Sequence, residues 1–137
     1  MSEKETLINK LERGRADFAY KCVNEALERF KGDSKKQKEY RSHTRKIPQM
    51  ILSNGLGQTL AFILSKKSNG NAYDLLYQQI TDYLKSDSTS RIKMEGGKDL
   101  TEWVISLSSA EYRYVTQEIL TFFNWLKRFA EGMIEGE

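Results

Sequence analysis

The sequence is poor in the residues that staple, break or catalyse. One cysteine in 137 residues, Cys22, excludes an intrachain disulfide framework and any zinc site built on several cysteines. A zinc site on the lone histidine, His43, would need carboxylates or Cys22 as its further ligands. With one proline, Pro48, and few β-branched runs, little opposes helix formation, and almost no strand is expected. No apolar run approaches the roughly 20 residues a membrane helix needs, and Met1-Ser2-Glu3-Lys4-Glu5 is too charged to open a signal peptide. The expectation is a soluble cytoplasmic chain without membrane contact. At this length about 70% of the unfolded surface can be buried, so residues 1–137 are expected to form one domain with its own core.

Constellations for catalysis are missing as well. Gly55-Leu56-Gly57 lacks the third glycine of a dinucleotide loop and the Gly-Lys-Ser/Thr of a phosphate loop, and no strand precedes it. Glu25 with Glu28, and Glu111 with Glu118, lie at helical spacings typical of solvated faces, with no second pair to hold a divalent metal. No enzymatic activity, metal or cofactor is expected. Cys22 falls in an apolar stripe and reads as a small buried hydrophobe rather than a nucleophile.

What the chain does contain is helical periodicity. Leu7, Leu11, Phe18, Cys22, Ala26 and Phe30 mark a first helix from about Thr6 to Lys31, ended near Gly32. Asp33 and Ser34 can cap a second helix from Lys35. Tyr40, Thr44, Ile47, Ile51 and Asn54 would continue one stripe if that helix ran through, but Pro48 predicts a kink or restart between Arg45 and Gln49. Asn54-Gly55 reads as a stop, and Gly57 as a turn or a close helix approach. Further helices are expected over 56–66, over 72–85 with Asn71 as cap, and over 100–107. The polar, glycine-containing segment 86–99 is expected to be a flexible loop. Ser108 with Glu111 forms a capping-box signature before the strongest helix, whose apolar rows run from Tyr112 to Ile134. The expected fold is all-α: a single compact bundle of five or six helices with the long C-terminal helix central.

The charge is unevenly spread. Residues 1–30 carry six basic and six acidic side chains, residues 31–46 seven against two, and the rest nine against eleven. On a helix, Lys35, Lys38, Arg41 and Arg45 share one side, flanked by Lys36 and Lys46. Such a stripe can follow a phosphate backbone without reading bases, or it can be a solvated face tethered by Glu39, and composition alone does not separate the two. Arg113, Lys127 and Arg128 could extend it, but Glu118 and Glu131 are expected to pair with them within the helix. His43, in the same run, is expected to hydrogen-bond locally or to meet a phosphate. Four phosphate contacts to a single strand would weaken binding about fiftyfold between 50 and 200 mM salt.

Tyr40-Arg41-Ser42-His43 through Lys46-Ile47-Pro48, and Asn54-Gly55-Leu56-Gly57-Gln58-Thr59-Leu60-Ala61-Phe62, carry a family resemblance. It continues in Ala72-Tyr73-Asp74-Leu75-Leu76-Tyr77, Glu102-Trp103-Val104-Ile105-Ser106-Leu107, Ser109-Ala110-Glu111-Tyr112-Arg113 and Phe123-Asn124-Trp125-Leu126-Lys127-Arg128-Phe129-Ala130-Glu131-Gly132. Together these blocks resemble the small subunit of the type III-B (Cmr) CRISPR effector complex over most of the chain after Tyr40, with a weaker match in 16–26. The resemblance implies a non-catalytic helical subunit, several copies of which stack as a minor filament beside the backbone subunits that carry guide RNA. RNA cleavage would belong to the backbone subunits and nucleotide chemistry to the large subunit. The basic stripe would contact target RNA or the guide–target duplex through Lys35, Lys38, Arg41, Arg45 and Lys46. The resemblance supports Arg41, Arg45 and Lys46; Lys35 and Lys38 rest on charge. The other open reading is a helical adaptor whose basic run meets an acidic protein surface, with no nucleic acid.

Overall fold

Local capping accounts for most of the element boundaries. Thr6 accepts a hydrogen bond from the Asn9 amide and opens α1 (Leu7–Arg29). Gly32, with φ of 80°, turns the chain, and the Asp33 side chain then accepts from the Lys36 amide to open α2 (Ser34–Asn54). Gly55, at φ 90° and ψ 161°, occupies backbone space nearly restricted to glycine and separates α2 from α3 (Leu56–Lys66). Asn71 caps α4 (Ala72–Lys85) and Asp99 caps α5 (Leu100–Ile105). Ser108 and Glu111 form the reciprocal capping box of α6 (Ser109–Met133). The computed structural model describes residues 6–86, 92–94 and 96–136, without the side chains of Leu7 and Ile8. Among them are these six helices and no strand.

The all-α bundle expected from the sequence is the one observed, built around one core. Helix α6 runs along both α1 and α2, and α2 also touches α3 and α4. The centre is aromatic. Tyr83 of α4 stacks on Phe122 of α6 at 4.3 Å, and Phe18 of α1 meets both rings edge-on. Cys22 is buried beside Val23 and Ala26, and burial pushes its thiol well above the ordinary range, as a core hydrophobe requires. Gly57 makes a close helix approach: its amide donates to the Tyr112 hydroxyl at 2.7 Å, tying the start of α3 to α6.

Pro48 does not restart the chain. Helix α2 continues through it, with Tyr40, Thr44, Ile47 and Ile51 all buried on one face. An internal proline costs about 3 kcal/mol. Full burial of a side chain such as Ile47 or Ile51 returns about 1.5–3 kcal/mol each, so the stripe spanning Pro48 outweighs the break. The expected flexible loop over 86–99 falls partly on residues 87–91 and 95, outside the described residues. Of those described, Met94 is buried, its amide donating to the Leu84 carbonyl at 2.8 Å.

Candidate nucleic-acid interface

The rotation of α2 about its axis decides which cations face outward. Tyr40 is fully buried and donates to Gln79 of α4 at 2.7 Å, while the Gln79 amide nitrogen donates to the Cys22 carbonyl at 2.9 Å and to Glu25 at 3.0 Å. This latch joins α1, α2 and α4. It directs the opposite side of α2, with Lys35, Lys38, Ser42 and Lys46, away from the core. Ser34, Lys35, Lys38, Glu39 and Ser42 line an open depression of about 520 Å³. Among the described residues, none of Lys35, Lys38 and Lys46 has an ion-pair partner.

The two arginines stand differently. Arg45 Nε lies 3.3 Å from Glu131 Oε2 of α6, with both side chains well exposed. Arg41 packs against the chain beyond α6, so close that a Cβ on Gly136 would lie 2.5 Å from its Nη1. The single stripe expected from spacing is thus divided into three lysines on an open face and two arginines along the seam with α6. The expected intrahelical pairing is also corrected. Glu131 reaches across to Arg45, and Glu118 is buried and holds Arg15 of α1 through bonds of 2.9 and 3.1 Å. Lys36 is drawn toward the Phe30 ring, 6.0 Å from its centroid.

A family model described as CRISPR-associated protein (Cas_Cmr5) matches residues 11–133. The chain belongs to the Cmr5 family. The CRISPR system Cmr subunit Cmr5 of Thermus thermophilus is 32% identical over 123 residues, covering 88% of this chain and 92% of that protein. The crystal structure of a CRISPR-associated Cmr5 family protein from the same organism matches with a TM-score of 0.70 at 29% identity, over 96% of this chain and 100% of that one. This is the family the sequence blocks resemble, and the Cmr5 match contains all five expected site residues.

His43 makes a ring contact that the sequence did not indicate. Its ring stacks on Tyr73 at 3.9 Å and 18°, and its Nδ1 is buried without a hydrogen-bond partner among the described residues. Burial, assisted by the Lys46 charge, lowers its pKa to about 4, so the imidazole is neutral at physiological pH and offers no cation to a phosphate. The stack belongs to a surface that the spacing did not mark. Phe62 of α3 meets Tyr73 of α4 edge-on at 6.0 Å, beside Lys46, Gln49 and Met50 of α2. Their meeting depends on how α3 and α4 fold back onto α2, for which the local sequence carries no signal. Among the described residues, no group of three or more His, Cys, Asp or Glu side chains could hold a metal ion.

Proposed function

We propose that this Cmr5 family chain is a non-catalytic subunit of a Cmr CRISPR ribonucleoprotein, contacting target RNA or the guide–target duplex through the basic face of α2. The observation that carries the reading is the placement of Lys35, Lys38 and Lys46 on one rigid helix face without carboxylate partners among the described residues. Arg41 and Arg45 lie at its edge. Its partners would be the backbone and large subunits of the complex, guide and target RNA, and further copies of itself.

Three lysine–phosphate contacts to a single strand would weaken binding about twentyfold between 50 and 200 mM salt; a fourth from Arg45 would raise this to about fiftyfold. Fluorescence anisotropy with a random single-stranded RNA measures this slope. Reversing Lys35, Lys38 and Lys46 to glutamate is expected to remove binding. A response flat in salt would refute the reading. Capture of an acidic protein by the same lysines without RNA would establish the adaptor instead.

A further inference from the structure

Beside Lys46, α2, α3 and the start of α4 border an open, shallow cavity of about 380 Å³. Its walls are chemically mixed in a particular way. Phe62 and Tyr73 present rings, Met50 adds a polarizable thioether, and Gln49 and Asn54 supply amides that both donate and accept. Lys46 stands at its rim, and no carboxylate lines it. The depression around Lys35 and Lys38 includes Glu39 and has no ring. The groove between α2 and α6, lined by Pro48, Leu52 and Leu120, also lacks an aromatic side chain.

The rings are held rather than loose. His43 stacks on Tyr73 from the α2 side, and Phe62 meets the Tyr73 ring edge-on at 6.0 Å and has the Lys66 ammonium 5.7 Å from its centroid. Phe62 remains 36% exposed despite these neighbours, so ring surface is available to a ligand. A pre-positioned aromatic wall, side-chain amides and an adjacent cation are what an unstacked base with its phosphate requires: π-surface for the ring, donors and acceptors for its edge, positive charge for its backbone.

We propose that the cavity bounded by Lys46, Gln49, Met50, Asn54, Phe62 and Tyr73 takes an unstacked nucleobase of a single-stranded RNA whose phosphates run along the basic face of α2. This rests on the RNA-contact reading and adds a contact to the base, which the lysines alone do not supply. Stacking tolerates every base, so the pocket strengthens binding without selecting sequence.

The test compares two oligomers of equal length and charge, oligouridylate and its fully abasic counterpart, against the full chain and two variants. Phe62→Leu keeps apolar volume and removes the ring; Gln49→Glu, at an exposed helix position, places a carboxylate at the cavity wall. The parent is expected to bind oligouridylate about tenfold more tightly than the abasic oligomer, and Phe62→Leu to lose most of that difference with the salt slope unchanged. Gln49→Glu, which leaves the core untouched, is expected to weaken oligouridylate binding by a larger factor than abasic binding. Equal affinities for the two oligomers, with the salt dependence intact, would overturn the pocket and leave the phosphate reading standing. Loss of all salt-dependent binding would overturn both. Base-dependent binding insensitive to both variants would place the base elsewhere and also overturn the pocket.

Discussion

Removing the Glu118 carboxylate should expose how much of the bundle is held by one buried charge pair. Glu118 is 4% exposed, accepts two hydrogen bonds from Arg15 at 2.9 and 3.1 Å, and accepts a third from the Tyr83 hydroxyl at 2.5 Å. One carboxylate therefore joins α1, α4 and α6 at the aromatic centre. Glu118→Ala leaves the Arg15 charge, whose side chain is only 14% exposed, and a buried phenol without their acceptor. Breaking a buried pair from one side costs about 3–5 kcal/mol. Glu12 lies 3.8 Å from Arg15 and relieves part of this, which puts Glu118→Ala near about 3 kcal/mol. Arg15→Ala strands the more deeply buried Glu118 and belongs at the upper end.

Replacing the whole network tests the argument more sharply. Arg15→Met, Glu118→Leu and Tyr83→Phe combined remove the buried polar members, leave only the half-exposed Glu12 and keep comparable volume, so the triple variant should lie within about 1–2 kcal/mol of the parent. Urea unfolding followed by circular dichroism is the assay. With a slope of about 2 kcal/mol per M, Glu118→Ala should lower the midpoint by about 1.5 M and the triple variant by no more than about 0.5–1 M. A triple variant as unstable as Glu118→Ala would refute the reasoning, because the loss would then come from packing rather than from stranded charge.

Gly55, between α2 and α3, and Gly57, in the first turn of α3, should respond with opposite signs. Gly55→Ala, at φ 90°, is expected to lose about 1–3 kcal/mol, whereas Gly57→Ala lies inside a helix with its nearest neighbour at 3.4 Å and should gain up to about 1 kcal/mol; thermal unfolding of the two distinguishes them. Acid should weaken the fold through His43. Its folded pKa of about 4 lies below the ordinary 6.5, so the unfolded chain binds the proton more readily, and stability present above pH 6.5 is lost as pH falls toward 4. Discounted for partial exposure, the effect is about 1–2 kcal/mol. Urea midpoints measured from pH 7 to 4 should fall more steeply for the parent than for His43→Gln, and parallel curves would contradict the assignment.

Elements governed by neighbours three or four residues away are legible in the sequence itself. Asp33, Asn71 and Ser108 each bond an amide three positions on, and the apolar rows of α6 supply Val115, Ile119, Phe122, Phe123, Leu126 and Ala130 to the buried core. Features governed by distant residues are not. Glu118 sits at a spacing that looks like solvent-facing charge, yet its partner is 103 positions away in α1. Pro48 carries a strong local breaking signal, and only the buried stripe on both sides of it overrides that signal. The basic run is visible as charge, but its division into an open face and a seam depends on where α6 ends against α2, which no local pattern encodes.

That division also sorts the cations by type. The three on the open face are lysines and the two along the seam are arginines, although all five lie within twelve residues. A guanidinium is a planar fork suited to a carboxylate or to close packing against backbone, and Arg45 meets Glu131 while Arg41 lies against Gly136. A lysine ammonium is a mobile point charge on a flexible stem and imposes no bidentate geometry on its partner. An outward face of lysines therefore suits contact with a backbone whose phosphates are not held in one register, as sequence-independent RNA binding requires. Arg41 is committed to the chain's own surface, whereas Arg45, exposed and held to Glu131 by a single contact, can still turn toward a phosphate at the edge of that face.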